Sequence, residues 1–175
     1  MRFLFLFLLL NAFAFAEVFD DAKFLQPLSR LSLNEIEISA YSSLDKKLYG
    51  IGGKNLYEID LSQPETPALL VTKDLGEVAA SIAIFEKTFA IAFPGNGTAG
   101  LLRLYTYEDS LVLKQEFKTC PGLDMVTFTP DGKFLLGACE GAPADDNSSD
   151  PEAAVLLLSV EKMQVQLLQF NHLDS

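Results

Sequence analysis

Three stretches of this chain repeat one pattern at nearly constant spacing, and that repeat limits the fold more than any other feature. They are residues 40–50, 83–91 and 128–137, each an apolar run, a polar turn carrying Lys, and a second apolar run. Aligning Leu48, Phe89 and Phe134 gives spacings of 41 and 45 residues. A period of this size is that of a four-stranded propeller blade, a unit that buries its apolar face only by stacking on its neighbours.

Each repeat divides into four short strands. In the first, Ile36, Ile38 and Ala40 alternate with Glu35, Glu37 and Ser39, the period of a half-buried strand. Residues 48–51 form a continuous apolar run, as expected of a strand covered on both faces. Gly52-Gly53-Lys54-Asn55 reads as a turn. Tyr57, Ile59 and Leu61 then alternate with Glu58 and Asp60, and an outer strand follows at residues 69–72. The second repeat predicts strands at 79–85, 88–93, 100–107 and 110–117, and the third at 125–129, 133–139, 153–160 and 164–170. Pro130-Asp131-Gly132 is a turn with a mechanism, since Pro presets φ and Gly tolerates φ above zero. The fold class expected is all-β: an incomplete β-propeller of about three four-stranded antiparallel blades, at 35–75, 79–118 and 122–170 within a domain of residues 35–175. A β-sandwich of unrelated hairpins is the competing architecture. Closed propellers have 4–8 blades, so three would leave apolar blade faces open to self-association, or mark a truncated product or a piece of a larger parent. Residues 17–34, with Phe19, Phe24, Leu25 and Leu28, are expected to pack on the first blade.

The first sixteen residues read as a secretory signal peptide. Arg2 precedes the apolar run 3–10, and Ala14-Phe15-Ala16 supplies small residues for cleavage after Ala16. The run falls short of the roughly 20 residues that a spanning helix needs, although an uncleaved anchor is the alternative. No later segment is apolar for long enough to cross a membrane. Export places the mature chain in the periplasm, outside the cell or on its surface. The formal net charge of −11 makes an acidic surface that repels nucleic acid.

Asp124-Met125-Val126-Thr127-Phe128-Thr129-Pro130-Asp131-Gly132-Lys133, then Ala138-Cys139-Glu140-Gly141-Ala142-Pro143, then Asp150-Pro151-Glu152 carry a family resemblance. Over residues 35–170 the chain resembles the N-terminal region of the choice-of-anchor I family of exported, surface-attached proteins. The family pattern has Pro before the Asp, where Leu123 stands here. It also has Asn, Glu and Gly where Cys139, Ala142 and Ala153 stand. The resemblance implies a surface location, an N-terminal β-propeller and further propeller beyond the matched part. It also singles out Asp124 as a motif residue. More distantly the chain is similar to YVTN-type and lactonase-like propellers, whose blades share the Pro-Asp-Gly-Lys turn.

No catalytic set emerges. The only His, His172, sits near the C-terminus with nothing obvious to orient it. One His and two separated Cys do not match zinc spacing. The best candidate site is the acidic loop 140–152, where Glu140, Asp145, Asp146 and Asp150 offer the oxygens that Ca²⁺ prefers; a solvated surface loop is the alternative. Asn96-Gly97-Thr98 and Asn147-Ser148-Ser149 fit the N-glycosylation pattern. Pairing outward from the Pro130 turn puts Cys139 opposite residue 122 or 123, with Cys120 two or three positions further along. A Cys120–Cys139 disulfide in an oxidising compartment is one outcome, and a buried Cys139 with an unpaired Cys120 is the other. The function expected is a non-enzymatic exported binding or scaffold module for an unknown protein or small molecule. The alternative is part of a propeller hydrolase for a phosphoester or lactone, with Asp124, Glu140 and the acidic loop holding a metal.

Overall fold

Period-2 alternation and closely spaced turn residues leave this chain little choice but antiparallel strands joined to their immediate neighbours. The computed structural model describes Leu31, Leu33 and residues 36–95, 98–141 and 153–169. Among them are twelve strands and no helix. Blade 1 comprises β1 (Ile38–Ser42), β2 (Lys47–Gly52), β3 (Asn55–Asp60) and β4 (Ala68–Asp74). Blade 2 comprises β5 (Ser81–Phe85), β6 (Thr88–Phe93), β7 (Leu101–Tyr107) and β8 (Leu111–Lys118). Blade 3 comprises β9 (Leu123–Phe128), β10 (Phe134–Cys139), β11 (Ala154–Ser159) and β12 (Gln164–Gln169). Every sheet is an antiparallel meander in chain order. The first strands gather on one side, β5 lying against both β1 and β9. The Val126 N–H donates to the buried Ser81 hydroxyl at 3.2 Å, tying β9 to β5. Blade 1 meets blade 2, blade 2 meets blade 3, and the series of described blades is open. This is an incomplete β-propeller of three blades.

The core lies between blades in two layers, and β6 shows why. Its Phe89, Ile91 and Phe93 face blade 1, packing with Tyr49, Ile51 and Leu56. Its Ala90 and Ala92 face blade 3, where Leu123, Val126 and Leu135 fill the space. Bulky and small residues alternate along one strand, so each blade interdigitates with its neighbour at close-packed density. Tyr49 meets Phe89 edge to face, with ring centroids 4.7 Å apart. Each such fully buried side chain contributes about 1.5–3 kcal/mol.

Two details of the sequence pattern need correction. Phe134 does not align with Leu48 and Phe89: Phe134 is 40% exposed on the far face of blade 3, and Leu135 packs toward blade 2. A one-residue offset moves a side chain to the other face of a strand. Glu58 is not a solvent-facing residue, because the face it shares with Leu56 is the one blade 2 covers. Residues 17–30, part of the segment expected to pack on blade 1, lie outside the described residues. Among the described residues, no helix is long and apolar enough to cross a membrane.

Candidate functional site

In an antiparallel meander, the turn after the second strand and the crossing to the next blade fall at the same end. That end therefore collects residues 53–54, 75–80, 94–95, 98–100, 119–122 and the start of the acidic loop at Glu140. The junction of blades 2 and 3 at this end is cross-linked. Cys120, in the crossing, and Cys139, closing β10, form a disulfide with Cα atoms 6.0 Å apart. Both are buried in the layer between blades 2 and 3. Short backbone hydrogen bonds surround the bond. The Gly122 N–H donates to the Pro94 carbonyl at 2.9 Å, and the Glu140 N–H to the Gly122 carbonyl at 2.9 Å. The Gly141 N–H donates to the Pro121 carbonyl at 3.2 Å. Gly122, at φ +66, must be Gly, since a Cβ there would run into the Gly141 carbonyl.

Asp124 stands out at this junction. β9 and β10 shift register between Ala138 and Cys139, where Met125 and Leu123 are the successive partners and Asp124 is left as the extra residue. A bulge re-aims a side chain and is frequent beside functional sites. Here it turns a half-buried carboxylate out of the ladder, one residue from Leu123, the partner of Cys139. Glu140 is exposed at the base of the acidic loop. Asp145, Asp146 and Asp150, like His172, Asn96 and Asn147, lie outside the described residues. Among the described residues, no three His, Cys, Asp or Glu side chains converge to hold a metal.

Two polar clusters at the blade 1–blade 2 interface escape sequence reading. Lys47 Nζ bonds Glu58 Oε1 at 2.5 Å and the Tyr107 hydroxyl at 3.1 Å, and that hydroxyl donates to Glu58 at 3.0 Å. Desolvation alone would depress the Lys47 ammonium, but the hydrogen bonds to Glu58 and Tyr107 outweigh it and raise its pKa. Burial, with the hydrogen bond to Asp45 at 2.9 Å, pushes the Tyr49 phenol up. Arg103 stacks on Phe93, its guanidinium carbon 4.4 Å from the ring centroid. It donates to Glu116 at 2.7 Å, Glu77 at 2.5 Å and the Leu75 carbonyl at 3.1 Å. Both clusters clamp blade 1, with the crossing that follows it, to blade 2.

Radial four-stranded sheets with a knotted loop end define a propeller-class repeat protein. The model of the choice-of-anchor I domain matches residues 37–175, so the chain belongs to the choice-of-anchor I domain family. Among solved structures it is similar to a hydrazine synthase from Kuenenia stuttgartiensis, with a TM-score of 0.60 and 17% identity over 77% of this chain and 37% of that one. At that identity the likeness is one of fold, and this chain spans well under half the length of that structure. No curated protein matches the sequence.

Proposed function

We propose that the mature chain works outside the cytoplasm as a non-catalytic β-propeller module that binds or scaffolds a partner at its loop end. One observation carries this reading: the disulfide and two backbone hydrogen bonds, from Glu140 to Gly122 and from Gly141 to Pro121, fasten the crossing 119–122 to the base of the acidic loop. Rigid supports under variable loops are how scaffolds present binding residues. Family membership, the leader-like first sixteen residues and the net charge of −11 support a surface or exported role. The Asp124 bulge and Glu140 would frame the binding edge, with Asp145, Asp146 and Asp150 supplying its charge. Mass spectrometry of the protein recovered from an exporting host tests the export half of this reading. An N-terminus at Glu17 is the expected result, and a chain that keeps Met1 in the membrane fraction overturns it.

A further inference from the structure

Every blade ends in an outer strand, and the first two of these are guarded. An exposed edge offers unpaired N–H and C=O groups to any passing strand, and bulges and charged residues blunt it. β4 breaks register against β3, leaving Leu70 as an extra residue, and carries Lys73 and Asp74. β8 breaks register against β7, leaving Lys114 extra, and carries Glu116 and Lys118 as well. β12 has neither device. It pairs with β11 without interruption from Gln164–Ser159 to Gln169–Ala154. Its sequence, Gln-Val-Gln-Leu-Leu-Gln, contains no charge, Pro or Gly. Leu167 and Leu168 are 46% and 49% exposed.

We propose that the edge of β12 that no described strand pairs with joins β12 of a second copy of this chain, making two third blades into one antiparallel sheet across a twofold axis. Two copies of an acidic chain repel one another over most of their surface. β12 is an outer edge where no like charges meet, which favours a second copy over a basic or acidic partner. The pairing is self-complementary. A twofold axis perpendicular to the sheet opposes residues of the same face. With Gln166 on the axis, Gln166 meets its own copy, and Val165 meets Leu167 on both sides of it. The backbone ladder supplies affinity and the paired side chains supply register. This surface is distinct from the open blade faces that the repeat count alone suggested.

Sedimentation equilibrium of the mature chain at micromolar concentrations tests the proposal. A dimer is expected, with a dissociation constant raised about tenfold or more by Gln166→Lys and by Gln166→Glu, because like charges then stand opposite one another. An equimolar mixture of the two variants should dimerise again. Either charge variant decides the point if the other fails to fold, and thermal melts followed by circular dichroism identify the folded ones. Met125→Lys, on the exposed face of the far strand β9, should leave the dimer intact. A monomeric wild type overturns the proposal. So does a dimer that Met125→Lys breaks and both Gln166 variants spare, which would place the contact on the blade face.

Discussion

Gly132 answers to two constraints at once. Its φ is +68, and a Cβ there would strike the ring of Phe85. The matching turns of the other blades hold Lys46 at φ 56 and Glu86 at φ 51, so the left-handed backbone alone is tolerated. Gly132→Ala should therefore cost about 1–2 kcal/mol for the backbone, and more because Phe85 must move. Urea unfolding measures it, and Gly132→Ala with Phe85→Leu should recover the steric part. An unchanged urea midpoint would mean that the turn relaxes freely. This turn was readable in the sequence because its causes are local. Thr129 Oγ1 donates to Asp131 Oδ1 at 2.7 Å and the Lys133 N–H donates to the same oxygen at 3.1 Å. Both bonds hold the Asp131 carboxyl below its ordinary pKa, the Thr129 bond chiefly. Glu58 and Arg103 were not readable, because their partners Lys47, Tyr107 and Glu77 come from other strands or across a blade boundary. Strand alternation tells which residues share a face, but not whether the next blade will cover it.

At the scale of the element, the disulfide spans 19 residues between the crossing and β10. Closing a loop of that size contributes about 3 kcal/mol on the chain-entropy model. Thiol titration of the denatured, unreduced protein should find no free thiol, and Cys139→Ser should lower stability by about that amount. Two free thiols per chain would remove the bond from the account. Counting outward from the Pro130 turn placed Cys139 opposite residue 122 or 123, and its partner is Leu123. The count assumed an unbroken ladder and so did not foresee the bulge at Asp124, which slips the alternation by one: Leu123 and Val126 face the same layer three positions apart. Strand positions were legible to within about two residues, as for Thr88–Phe93 and Gln164–Gln169, because each run is short and bounded by a turn. β1 begins three residues later than the alternation from Glu35 indicates: Ile36 packs over Gly50 but stands outside the strand.

At the scale of the whole molecule, the three blades and their order were legible because the period repeats. The candidate calcium loop stays an expectation of the sequence, since residues 142–152 lie outside the described residues. If that loop binds Ca²⁺, millimolar Ca²⁺ should raise the melting temperature by mass action, by an increment set by the ratio of free metal to its dissociation constant. Asp145→Ala with Asp146→Ala should abolish the rise, and an unshifted melt leaves the loop as solvated surface. Strand order carries a further consequence. Each described sheet runs in chain order, so no strand within it waits for a partner synthesised much later. Local pairing of this kind lowers the entropy of loop closure. A chain threaded N-terminus first through a narrow pore could thus complete blade 1 on the far side while blade 3 was still inside. Delivery and folding would then proceed at one pace, and the folded part would hinder backward slipping through the pore.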